Sequence, residues 1–156
     1  MPSETLVCIL KSERAQKLAR RSRSIFNDAE TQLTEQDRNE AFEAAVIRFS
    51  SDADWLVKKI EKRTGRLYAG IATQTERELT VTCDGTSAAA RQALRLLKTV
   101  DDLFLILAEA RIRGCVSLRD ADRITQRTEW QYCRWLEAAA GRQFLARLTK
   151  TPSEQS

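Results

Sequence analysis

The chain has 156 residues, a length at which one domain buries about two-thirds of its unfolded surface, so a core needs no disulfide or metal staple. A formal charge of +4 and a pI near 9.0 admit a polyanionic partner, and they also suit an ordinary basic surface. There is no histidine and no glycine-rich phosphate loop, so the usual nucleophile and nucleotide sites are missing, and the chain reads as a non-enzyme without a cofactor.

Residues 5 to 10, Thr5-Leu-Val-Cys-Ile-Leu10, read as a strand or extended arm. From Ser12 a helix is expected, with Ala15, Leu18, Ala19, Ser22, Ile25, Phe26 and Ala29 at three- and four-residue intervals. Its other side is basic: Lys11, Arg14, Lys17, Arg20, Arg21 and Arg23 stand against one acid, Glu13. Arg14, Lys17 and Arg21 share a helical face, which suits contacts along a DNA phosphate backbone. The plain alternative is a solvated charged face.

Thr34 with Asp37 resembles a capping box, and Ala41, Phe42, Ala45, Val46 and Phe49 give the following helix its apolar stripe. Ser50-Ser-Asp-Ala-Asp54 can interrupt and restart that helix, because Ser51 suits a cap and the acids suit a first turn. Trp55, Leu56, Ile60, Leu67 and Ile71 continue the pattern. The helix either stops at Gly65 or runs through Gly65 and Gly70; the apolar spacing favours continuation.

Arg77-Glu-Leu-Thr-Val-Thr-Cys83 is the second β-like run. Leu79, Val81 and Cys83 fall on one face, and Glu78, Thr80 and Thr82 on the other. A strand needs a partner for its backbone, either residues 5 to 10 or a second chain. An antiparallel ribbon fits the major groove, where Glu78, Thr80 and Thr82 would meet base edges and Arg77 would clamp phosphate. The structural alternative is a ribbon that ties two helical layers together.

Asp84-Gly-Thr-Ser87 reads as a turn into a capped helix. Ala90, Ala93, Leu94, Leu97, Val100, Phe104, Leu107 and Ala108 form its stripe, which Leu96, Leu103, Leu105 and Ile106 widen. Such a helix belongs at the centre of a fold or at a subunit boundary, so a homodimer is expected. Asp101 and Asp102 read as solvent-facing or salt-bridged. Gly114 suits a C-cap, and Ser117 with Asp120 opens a last helical region with Ile124, Trp135, Leu136, Phe144 and Leu148 as core, broken near Gly141. Arg119, Arg123 and Arg127 recur every four residues, and Trp130, Tyr132 and Trp135 are assigned to packing. Residues 1–150 read as a single helical domain and 151–156 as a flexible polar tail.

Cys8, Cys83, Cys115 and Cys133 form no Cys-x-x-Cys pair, so a metal site is not expected; Cys8, Cys83 and Cys133 read as small core side chains. The first basic cluster follows the short apolar run instead of preceding it, unlike a secretory leader, and the apolar stretches are too short for a bilayer. The expected compartment is the cytoplasm, with no membrane partner.

Leu10-Lys-Ser-Glu-Arg-Ala-Gln-Lys-Leu18 with the basic residues after it resembles the AcaB-like proteins of conjugative plasmids and integrative conjugative elements. Ala53-Asp-Trp-Leu-Val-Lys-Lys-Ile60, and Leu97-Lys-Thr-Val-Asp-Asp-Leu103 through Ala110-Arg-Ile-Arg-Gly114, are similar to that family too. The resemblance implies a dimeric regulator of transfer genes with a ribbon-helix-helix-like DNA-binding region. The chain departs from that pattern in having no evident compact two-helix module after the strand, since residues 87 to 111 read equally as one long helix. The expectation is a mainly helical domain with one small antiparallel ribbon. Its expected function is a transcriptional regulator or accessory protein of a conjugative mobile element that binds double-stranded DNA. The alternatives are a structural or protein-interaction module of the conjugation apparatus without DNA binding, and an inhibitor of a nucleic-acid enzyme.

Overall fold

Residues 88 to 112 contain neither glycine nor proline, and they form the helix against which every other element packs. The computed structural model describes residues 5–22, 35–70, 78–85 and 87–140. The order is β1 (Thr5–Leu10), α1 (Glu13–Arg21), α2 (Glu35–Thr64), β2 (Leu79–Asp84), α3 (Ala88–Ile112) and α4 (Leu118–Ala140). The expectations for Ile25, Phe26, Ala29, Thr34, Ile71, Gly141, Phe144, Leu148 and the 151–156 tail lie outside the described residues.

The two β-like runs pair with each other. β1 and β2 are antiparallel, with Leu6 opposite Cys83, Cys8 opposite Val81 and Leu10 opposite Leu79. These pairs cover the helices, while Val7, Ile9, Thr80 and Thr82 face outward. The partner β2 needs is thus supplied within the chain, the first of the two alternatives stated above. The fold is mainly helical with a single small ribbon among the described residues.

α3 is buried on nearly all sides. Leu96, Leu97, Val100, Leu103, Phe104, Leu105, Ile106 and Leu107 are all 8% exposed or less. The other elements of the same chain cover this wide apolar girth, so it does not by itself call for a second copy. Ser87 Oγ accepts from the Ala90 N–H at 3.2 Å and caps the start. At the other end Gly114, at φ +71°, lets its N–H reach the Arg111 carbonyl and the Cys115 N–H reach that of Ala110. That pair of bonds is a Schellman closure, and a left-handed residue is what it requires. The Asp120 N–H then donates to Ser117 Oγ at 3.1 Å, as the Ser117–Asp120 spacing predicts. A 25-residue α3 followed by a 23-residue α4 replaces any short two-helix module after the strand.

Two expectations for α2 are corrected. Ser50 to Asp54 does not interrupt it; the helix runs unbroken for 30 residues. Ala45, Phe49, Asp52, Leu56 and Ile60 carry one buried stripe straight through the segment, and burial outweighs the capping tendency of Ser51. The helix does stop at Gly65, which takes φ +67° while its N–H donates to the Glu61 carbonyl at 2.8 Å. Leu67, counted above as part of the helical pattern, is 88% exposed. The N-terminal part of α2 is tied to α3 by side-chain amides. Arg38 Nε donates to Gln92 Oε1 at 3.0 Å, and Gln92 Nε2 donates to Asn39 Oδ1 at 2.7 Å.

The largest departure from the sequence reading is Asp101. Its side chain is fully buried, and its Oδ1 accepts from the backbone N–H groups of Lys11 at 2.9 Å and Ser12 at 2.5 Å. Ser12 makes no side-chain cap of its own, so a carboxylate from α3 takes that place where β1 turns into α1. Asp102, one residue on, is half-exposed and pairs with Lys98 at 3.3 Å, as expected.

Replacing Asp101 by alanine leaves two N–H groups without their acceptor and is expected to cost about 2–4 kcal/mol in denaturant unfolding. Asp101→Asn keeps an acceptor oxygen and should cost distinctly less. Burial lifts the Asp101 carboxyl above its ordinary 3.8, against the opposing pull of the two N–H donors. A raised folded pKa adds stability that is complete below the unfolded value and lost as pH climbs through the folded one. Wild-type stability measured relative to Asp101→Asn should therefore fall across that window.

Candidate nucleic-acid interface

α1 is anchored by one side. Ala15, Leu18 and Ala19 are buried, and Ser22 just beyond the helix is completely so, its Oγ 2.6 Å from the Tyr132 hydroxyl. Gln16 is buried with them, and helical periodicity turns Arg14, Lys17, Arg20 and Arg21 outward; these and Lys11, just before the helix, are all exposed. Arg23 and Arg77, assigned above to phosphate, lie outside the described residues.

The exposed cations are not equivalent. Arg14 Nη1 donates to Glu129 Oε1 at 2.8 Å, an acid supplied by α4. Local sequence carries no sign of this pair, because the two residues meet only when α1 docks on α4. Lys17 is 4.0 Å from Glu13 Oε1, a loose contact between two well-exposed side chains. Arg21 leans on the Cys133 thiol, which burial pushes up to about 11 while the guanidinium pulls it down. Lys17, Arg20 and Arg21 thus form the end of the basic face least engaged by acids.

The ribbon presents Thr80 and Thr82 outward, both exposed, as its alternation predicts. Their register partners were overlooked as surface groups: Ile9 lies opposite Thr80 and Val7 opposite Thr82, at 45% and 59% exposure. The alternation of residues 5 to 10 already implies it, since Leu6, Cys8 and Leu10 point inward. The outer ribbon face is therefore methyl-rich and, among the described residues from Thr5 to Leu10 and Leu79 to Cys83, carries hydroxyls but no cation. Glu78 is exposed one position before β2, where continuing the register sets it opposite Lys11. The chain order brings the ribbon and α1 together, because Lys11 and Ser12 alone separate them.

α4 contributes less free charge than its sequence suggests. Arg123 pairs with Asp120 at 3.2 Å. Arg127 Nη2 reaches the buried Asp52 Oδ1 at 2.7 Å and bridges α4 to α2. Tyr132 and Trp135 are fully buried with ring centroids 5.9 Å apart, the packing role expected of them. Trp130 departs from it: the ring is 37% exposed and lies under the Arg134 guanidinium at 5.4 Å. Trp55 on α2 is equally exposed, with Lys59 Nζ at 5.2 Å.

The two interhelical ion pairs should differ sharply in worth. Arg127→Ala strands the carboxylate of Asp52, which is only 9% exposed, and is expected to cost about 3 kcal/mol. Arg14→Ala removes an exposed pair and should cost less than about 1 kcal/mol. Parallel urea titrations check the order, and equal losses would refute this division between anchor and surface charge.

No helix among the described residues is long and apolar enough to cross a membrane. No family model matches the chain, and no curated protein matches it. Among solved structures it is similar to the crystal structure of selenomethionine-containing AcaB from uropathogenic E. coli. That match has 14% sequence identity and a TM-score of 0.47, and it covers 86% of this chain and 76% of that one. No residue role is carried over from that protein.

Proposed function

We propose that the protein is a DNA-binding transcriptional regulator or accessory protein of a conjugative mobile element. The observation that carries DNA binding is the disposition of α1: its cations all face solvent while Ala15, Leu18 and Ala19 hold the helix rigidly to the core. A fixed row of cations gains counterion-release free energy without first having to be ordered. Lys17, Arg20 and Arg21 are the assigned phosphate contacts, with Lys11 and Arg14 at the margin. Thr80 and Thr82, set between Val7 and Ile9, would supply base preference through hydroxyl contacts and methyl packing on thymine. Glu78 would read a cytosine amine. The mobile-element setting rests on the residue-level resemblance of segments 10–18, 53–60 and 97–114.

The second reading, a protein-interaction module of the conjugation apparatus, is favoured by the exposed Val7 and Ile9. A homodimer would set two copies of α1 along one duplex, which light scattering with and without DNA examines directly.

Neutralising Lys17, Arg20 and Arg21 together should weaken binding to all duplexes and lower the salt slope by up to about three units. Thr80→Val with Thr82→Val keeps strand propensity and shape, and should reduce preference for the cognate site while sparing nonspecific binding. Salt-titrated fluorescence anisotropy on random and element-derived duplexes measures both. If the basic triple change leaves affinity intact, α1 is not the DNA contact; if the valine pair keeps its site preference, the ribbon is scaffolding.

A further inference from the structure

A groove of about 740 Å³ runs along the edge of β1 that β2 leaves open, between that strand and α3. Leu6, Cys8 and Leu94 form its apolar floor, and Arg91, Arg95 and Lys98 stand along its α3 side. No carboxylate lines it among the described residues. All three cations are exposed, yet each is oriented by the protein. Arg91 donates to the Gly85 carbonyl, Arg95 lies over the Phe42 ring at 5.3 Å, and Lys98 is drawn toward Asp102 at 3.3 Å. Along an antiparallel ribbon, every second residue turns its N–H and C=O away from its partner strand. β1 therefore offers the groove a row of main-chain donors and acceptors.

We propose that this groove takes an extended acidic peptide segment of a partner protein by strand addition, with the peptide lying beside β1 as a third strand. The strand edge selects an extended backbone, and the three cations select carboxylates. Side chains of an added strand alternate between the two faces of the sheet. Those pointing inward would meet Arg91, Arg95 and Lys98 and should be acidic; those pointing outward would lie beside Val7 and Ile9 and should be β-branched. This surface shares no residue with the phosphate contacts on α1 and meets the ribbon's proposed base-reading face only at Val7 and Ile9, so peptide binding without DNA is tested separately from the α1 contact.

The test uses the full chain without DNA and an end-blocked, fluorescein-labelled octapeptide of alternating glutamate and valine. Saturable, salt-sensitive anisotropy binding is expected. It should fall about tenfold or more when lysine replaces glutamate in the peptide, or when the protein carries the exposed change Lys98→Glu with an unaltered circular dichroism spectrum. N-methylation of alternate peptide residues should abolish binding in one of the two frames, because it removes the ladder donors. Amides of Leu6 to Ile9 should exchange more slowly with peptide bound. Failure to saturate at millimolar peptide overturns the proposal, and so does full binding of both N-methylated frames, which would mean capture by charge alone. A protein dimer dispersed by the peptide would give the groove to a second copy, and duplex binding that Lys98→Glu weakens as much as it weakens peptide binding would give it to nucleic acid. Either result overturns the proposal.

Discussion

The buried carboxylate of Asp101 holds together the part of the molecule on which each proposed activity depends. It joins the middle of α3 to the two residues between β1 and α1, so strand, helix and central helix meet at a single acceptor oxygen. Without it the ribbon and the basic helix would still be held by the buried Ala15, Leu18 and Ala19 and by the Gln16 Nε2 donation to the Leu10 carbonyl at 3.1 Å, but the turn between them would lose its acceptor. Burying a charge to secure two N–H groups is costly, and the raised carboxyl pKa reflects that cost. What is gained is a defined angle between a strand that offers its edge and a helix that offers its charge.

The charge pattern becomes more selective in three dimensions than the net value suggests. α4 is arginine-rich, yet Arg123 and Arg127 are held by Asp120 and Asp52, so that helix contributes cohesion more than field. On α1 and along the solvent side of α3, basic residues keep their heads in water. Two separate basic surfaces result, one on a convex helix and one beside an apolar groove. Their shapes favour different anions, a duplex backbone in the first case and a carboxylate-bearing strand in the second.

What was readable from the sequence was local. Alternation in Leu79–Cys83 places the inner and outer faces of β2 correctly, and Ser87, Gly114 and Ser117 mark helix ends through bonds within a few residues. The basic face of α1 was equally plain from its periodicity. The readings that failed depended on partners far along the chain. Ser51 looks like a cap until the stripe through Asp52 and Leu56 is known to be buried, and Asp101 looks like a surface acid until Lys11 and Ser12 lie beside it. Glu129 belongs with these: no spacing rule links it to Arg14. Gly65 is a different kind of error, since the apolar residues after it argued for more helix while its preference for positive φ argued for an end.

The ribbon also orders the way the protein must be assembled. β1 leaves the ribosome before β2, and Leu79 to Asp84 and the α3 residues beneath it follow only after α2 has been made. Throughout that interval Leu6, Cys8 and Leu10 have neither their pairing strand nor their core, and they form a short sticky edge on a nascent chain. Loop closure over so long a separation is slow compared with formation of α2 or α3, so the hairpin-like contact should complete the fold instead of nucleating it. The N-terminal strand is in effect a late-fastening seam, and a chain stalled before β2 would display it to whatever β-edge is nearby.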